Sequence, residues 1–221
     1  WGENFIMKAI IITIDGAAAS GKGTIAKYLK KKFNFFHIDS GLLYRKVAKI
    51  VLDKKINIKN NEEINLLIKK TKNLLLLKQN SLRSSKVSKK SSKIAKIKKI
   101  RNFVNLNQKK LVQKNCKKYK GIVIDGRDIG SVVFKDAKIK LYIYTNPKIK
   151  AKRRYKELIE RGEKFIYSDV LKDIKNRDRI DKNRRNSPLV IPKDAVIINN
   201  SGNLLKTKKL VDGIIKTKLE I

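Results

Sequence analysis

The sequence predicts an α/β fold, a parallel sheet with helices on both faces, and three observations predict it. Apolar runs without polar alternation occur at residues 9–15 (AIIITID), 121–126 (GIVIDG) and 138–145 (KIKLYIYT), as expected of strands buried on both sides. Helical patterns separate these runs, and alternation of the two element types points to a doubly wound sheet. A loop of small residues, GAAASGKGT (16–24), joins the first run to the first helical pattern.

Each element has its own local signal. Residues 35–39 (FFHID) and 195–199 (AVIIN) are shorter versions of the apolar runs. After the loop, Ile25, Tyr28, Leu29 and Phe33 recur at helical spacing. In TNPKIKAKRRYKELIERG, Asn146 stands as the N-cap, Pro147 at the first helical position and Gly162 as the stop. Residues 204–219 (LLKTKKLVDGIIKTKL) form the last helical pattern, mildly interrupted by Gly213. Residues 54–100 depart from the alternation. They are rich in Lys, Ser and Asn and read as an insertion or flexible subdomain.

The loop is the strongest chemical signal. Glycine, four residues, glycine and lysine make the phosphate-binding pattern, here with Gly23 after the lysine and Thr24 supplying the hydroxyl one place later. Small side chains at Gly16, Ala17, Ala18, Ala19, Ser20, Gly21 and Gly23 let backbone N–H groups close around a polyphosphate. A larger side chain would push them away. The helix N-terminus adds its partial positive charge, and Lys22 reaches the terminal phosphates. Thr24, ahead of Ser20, is placed to help hold Mg²⁺, partly through water. The fold class is therefore of the P-loop NTPase type. The loop alone leaves kinase, ATPase and GTPase open. No guanine-reading Asn/Thr-Lys-x-Asp stretch follows, and a chain of 221 residues has no room for a helicase or transporter second half. A small phosphoryl transferase is the class left.

Composition bounds the partners. Lys and Arg total 56 against 19 Asp and Glu, a net charge of +37. Lysines that displace counterions could bind nucleic acid. Here they spread along the whole chain, without interleaved aromatics, as in a sequence drawn from AT-rich codons. No specific nucleic acid is expected, although nonspecific polyanion binding is. No apolar run approaches the ~18 residues of a membrane span. WGENFIMKAI lacks the basic flank, apolar stretch and cleavage site of a secretory signal. One cysteine, Cys116, allows no internal disulfide and fits a reducing cytoplasm. It reads as an ordinary thiol. His37, the single histidine, reads as a packed or hydrogen-bonded side chain without metal-ligating company.

Three further clusters remain. HIDSGLLYRKVA (37–48) carries Asp39, Ser40, Tyr44 and Arg45 at a strand-to-helix turn. DGRDIGSVVF (125–134) follows a buried strand. NRDRIDKNRRNSPLVIP (176–192) gathers Arg177, Arg179, Arg184 and Arg185 around Asp178 and Asp181. The first two lie at carboxyl ends of strands, where ligands bind in such sheets.

In this order, DGAAASGKGT, DSGLLYR, LRSSKVSKKSSKIAKIKKIR, DGRDIGSVVF and RDRIDKNRRNSPL resemble the bacterial cytidylate kinases, from about Ile10 to the C-terminus. The proline that this family carries near Lys98 is missing. The resemblance implies an ATP-dependent (d)CMP kinase, with a core of residues 8–53, 101–149 and 193–221. A monophosphate-binding insertion would occupy 54–100 and an Arg-rich lid 150–192, with 1–7 an N-terminal extension outside the domain. It implies catalytic roles for Lys22, Arg127 and Arg184. ATP would be bound by residues 16–24 and by Arg153 on the lid side. Ser40, Arg45, Arg127 and Arg184 would hold the acceptor phosphate. Asp128, Arg101 and Ser92 would read cytosine, and Arg177 and Asp181 would contact the sugar. Mg²⁺ would accompany ATP, and a cytoplasmic monomer is expected. Two alternatives stay open: the same fold acting on UMP or AMP, or a basic nucleic-acid-binding protein on a relic kinase fold.

Overall fold

The computed structural model describes residues 9–71, 74, 82 and 84–220. The 1–7 extension, and residues 75–81 within the stretch expected to be an insertion, lie outside them. Fourteen elements follow in order: β1 (Ile10–Gly16), α1 (Lys22–Phe33), β2 (Phe36–Asp39), α2 (Ser40–Asp53), α3 (Asn61–Lys70), α4 (Ser85–Ile94), α5 (Lys98–Asn115), β3 (Gly121–Gly126), a five-residue π-helical turn (Ile129–Val133), β4 (Ile139–Tyr144), α6 (Pro147–Ile159), α7 (Tyr167–Asn183), β5 (Val196–Asn199) and α8 (Leu204–Leu219). The chain divides into two compact units, one of residues 1–37 with 116–221 and one of 38–115.

The sheet runs in the order β2-β3-β1-β4-β5, and β1, β3, β4 and β5 belong to the first unit. β1 pairs in parallel with β3 on one side and β4 on the other, and β4 pairs in parallel with β5. The apolar runs are strands for the reason given above. Every residue of β3 is buried, as are all of β1 after Ile10. Their side chains meet Ile25, Ala26 and Leu29 of α1 and Val211 and Ile215 of α8 in one core. The caps follow the local chemistry. Asn146 accepts the Lys148 amide with Pro147 behind it, and Asn203 accepts the Leu205 amide at the start of α8. Gly213 lies inside α8 without breaking it.

The second unit is helical. Asn60 and Ser84 cap α3 and α4 with their side chains. α4 packs on α2, and α5 packs on both α2 and α3. Ile64, Leu67, Val87, Ile94, Ile100 and Val104 are buried among the helices of this unit. The unit therefore reaches beyond 54–100 on both sides, because α2 and α5 supply the surfaces on which the shorter helices pack. Lys46 of α2 is buried and donates to the Leu74 carbonyl at 2.8 Å. Burial lowers its pKa. Among the described residues no helix is long and apolar enough to cross a membrane.

Candidate active site

The phosphate loop leaves the carboxyl end of the central strand β1 and enters α1 at Lys22. Its path needs two left-handed residues, Ala19 (φ 56°) and Gly21 (φ 86°). A side chain at Gly21 is excluded twice. The left-handed backbone disfavours it, and a Cβ would lie 2.2 Å from Asn200 Nδ2. That same Nδ2 donates to the Ser20 carbonyl at 2.9 Å, and Thr145 Oγ1 donates to it at 2.9 Å. Asn200 is buried and itself accepts from Thr207 Oγ1 at 3.1 Å. Two side chains from the ends of β4 and β5 thus turn one loop carbonyl inward. Lys22 Nζ donates to the Ala17 carbonyl at 3.3 Å, so the ammonium folds over the loop. Arg153 of α6 donates to the Asn200 carbonyl at 2.8 Å, and its other terminal nitrogen is 3.5 Å from where a Gly21 Cβ would be. Burial lowers its pKa. The structure brings Arg153 to the loop.

The turn after β3 and the end of α7 meet in the same unit. Arg127 Nε donates to Asp181 Oδ2 at 2.8 Å. Arg184, at the C-cap of α7, donates to Asp128 Oδ1 at 3.5 Å and lies 3.8 Å from Asp181 Oδ1. It also donates from Nε to the Ser187 carbonyl. Asp128, Asp181 and Arg184 are all buried. Burial works against the charge on Arg127, but Asp181 more than offsets this and raises its pKa. Burial likewise raises Asp181, yet Arg127, helped by Arg184 and Arg177, holds it below the ordinary carboxylate value. Lys150 of α6, itself buried, is hydrogen-bonded to Asp178 Oδ2 and ties α6 to α7.

Ser40, Arg45, Ser92 and Arg101 belong to the 38–115 unit. Ser40 Oγ accepts from Gln108 Nε2 at 3.4 Å, and both residues are buried. Arg45 lies 3.7 Å from Asp39, whose carboxylate caps α2 through the Leu42 amide. Arg101 is buried, donates to the Ala95 carbonyl at 3.0 Å and sits 5.8 Å from the centre of the Tyr44 ring. Ser92 Oγ donates to the Ser88 carbonyl of its own helix at 3.4 Å.

Four functional-looking groups were outside the sequence reading. Asp15, wholly buried, accepts from the Ile129 amide at 2.8 Å and the Gly130 amide at 2.7 Å. Burial raises its pKa to about 6, the two amides lower it, Asp128 raises it and Lys22 lowers it. Asp125 bonds His37 Nε2 at 2.7 Å, giving the single histidine its partner. Asn200 and Thr145 are the loop anchors already described. Asp15 and Asp125 were visible as motif letters, opening DGAAASGKGT and DGRDIGSVVF, whereas Thr145 and Asn200 stood in no motif.

A magnesium ion takes hard oxygen donors. The Thr24 hydroxyl is exposed on the first turn of α1, and Asp125 Oδ2 would lie 3.7 Å from a Cβ on Gly23. The oxygens beside the loop therefore fit such an ion.

Comparison with known proteins agrees with this architecture. The chain is 38% identical over 208 residues to the cytidylate kinase of Fusobacterium nucleatum, covering 88% of this chain and 91% of that one. It is 34% identical over 215 residues to the cytidylate kinase of Brucella suis, covering 95% and 96%. The crystal structure of TT1252 from Thermus thermophilus shares the fold, with a TM-score of 0.50 at 12% identity over 95% of this chain and 97% of that one. The model of the family described as cytidylate kinase matches residues 12–218, and the chain belongs to that family.

Proposed function

We propose that this member of the cytidylate kinase family moves the γ-phosphoryl group of ATP to CMP or dCMP through the residues gathered around the phosphate loop and the β3 turn. The observation that supports this most is the buried pairing of Asp128 with Arg184, held next to Arg127 and Asp181 in the unit that carries the loop. A solvated surface ion pair would not be sealed in this way.

The acceptor phosphate is largely dianionic near neutral pH and already carries its nucleophilic oxygen. No general base is required. The work left to the protein is in-line positioning and charge neutralisation. Residues 16–24 cradle the triphosphate through their backbone. Lys22, Arg127 and Arg184 supply positive charge, and Arg153 closes on the ATP side. The Thr24 hydroxyl would help to hold a magnesium ion, which would supply charge neutralisation to the phosphates. Asp128 accepts the exocyclic amine of cytosine, which UMP lacks, and Arg177 and Asp181 serve the sugar. From the sequence pattern, Ser40, Arg45, Ser92 and Arg101 also serve the acceptor nucleotide. The lid is residues 150–192 and excludes water that would otherwise hydrolyse ATP. The enzyme works as a cytoplasmic monomer, in keeping with its one buried thiol.

A coupled assay across CMP, dCMP, UMP and AMP tests the reading. CMP or dCMP should show the highest kcat/KM. Faster turnover of UMP or AMP would refute the base assignment. RNA binding at moderate salt with no monophosphate turnover would favour the nucleic-acid alternative.

A further inference from the structure

Asp15 stands one residue before the phosphate loop, yet its carboxylate serves the opposite side of the chemistry. Both oxygens accept amides that open the π-helical turn directly after Asp128: Ile129 at 2.8 Å and Gly130 at 2.7 Å. The turn sits hard against β1. A Cβ at Gly130 would lie 2.6 Å from Thr13 Oγ1, 3.2 Å from Pro192 and 3.3 Å from Asp15 Oδ2. Asp128 itself has neither strand nor helix backbone (φ −146°, ψ 24°), and its carbonyl accepts from Val132 and Val133. The direction of its side chain thus depends on what holds residues 129 and 130. A π-helical turn at such a place is a common mark of function.

We propose that Asp15 is a specificity-determining positioning residue: by clamping the Ile129 and Gly130 amides it aims Asp128 at the nucleotide base. The strand that carries the donor's phosphate loop then also sets the choice of acceptor. This rests on the reading of Asp128 as the base contact. The choice of residue supports it. A buried carboxylate near Asp128 is electrostatically costly, and packing alone would favour a neutral side chain. Only a carboxylate accepts two N–H groups through two oxygens; the amide of Asn accepts one and opposes the other with its own N–H.

The test compares kcat/KM for CMP and UMP in the unaltered enzyme, Asp15→Asn and Asp128→Ala. Asp15→Asn should lower the CMP:UMP ratio about tenfold, the worth of one mispaired buried polar group. Equal losses on both substrates, with the ratio intact, would mean that Asp15 only supports folding and would overturn the proposal. If Asp128→Ala leaves the ratio unchanged, the reading of Asp128 fails. If it collapses the ratio and Asp15→Asn does not, the role of Asp15 alone fails.

A second measurement needs no variant. Between about pH 7.5 and about pH 5.5 the unaltered enzyme should lose discrimination as Asp15 protonates and one of its oxygens becomes a hydroxyl. The ratio cancels the phosphate ionisation that CMP and UMP share. The groups facing Asp15 are Lys22 from α1, Asp128 from the turn and Tyr142 from β4. A ratio flat with pH, or a fall that persists in Asp15→Asn, overturns the proposal.

Discussion

Arg127 Nε donates to Asp181 Oδ2 at 2.8 Å, joining the turn after β3 to a helix that lies 54 residues further along the chain. The pair is mostly enclosed, with 20% of the Arg127 side chain and 12% of the Asp181 side chain exposed. Arg184 approaches the same carboxylate from the other side. One acid therefore holds two of the cations proposed to bind phosphate.

Replacing Asp181 by Ala should cost about 2–4 kcal/mol of stability, because it leaves Arg127 enclosed without its closest anion. The carboxyl is held below its ordinary value, so its contribution is present above the unfolded-state pKa and is lost as pH falls through the folded one. Urea unfolding should show the gap between wild type and variant narrowing below about pH 4. A gap constant with pH would mean that the carboxylate charge does not matter.

Asp15 has the opposite sign. Its folded pKa of about 6 lies above the ordinary carboxylate value of 3.8, so ionising it opposes folding. The penalty grows as pH rises through this window and is complete above it. Relative to Asp15→Asn, the wild type should lose about 2 kcal/mol between about pH 4 and about pH 7. Chemical denaturation at both pH values measures this directly.

Lys22→Ala should lower kcat by at least ~10²-fold, as for removal of a preorganised charge at a transition state. Its ammonium folds over the loop through the Ala17 carbonyl, so the melting temperature should change little. Steady-state kinetics beside a thermal melt separates the two effects.

Asn200→Ala should act on both. It removes one of two donors to the Ser20 carbonyl and the acceptor of Thr207, at a cost of ~1–3 kcal/mol. The freed loop should raise KM for ATP more than KM for CMP. Equal changes in both constants would show that the anchor does not act on the donor loop in particular.

Much was legible because it is local. The phosphate loop, the buried strands and the cap at Asn146 follow from short-range rules that act over a few residues. The helices within 54–115 were harder to read. α4 buries only Val87 and Ile94 in ten residues, and the buried face of α5 includes Arg101, Gln108 and Asn115, which interrupt the apolar stripe. Polar burial of this kind needs partners from elsewhere in the fold, and periodicity cannot see them.

By itself, then, the sequence determined the sheet class, the phosphate loop and the family, since these depend on the order and spacing of residues along one chain. Only the tertiary structure decided that Asp15 holds amides 114 and 115 residues away, that Asn200 anchors the loop at Ser20 across 180 residues, and that Asp128 and Arg184 are buried together. Hydrogen bonds and ion pairs are set by distance in space, and the parallel sheet brings strand ends together whatever length of chain lies between them.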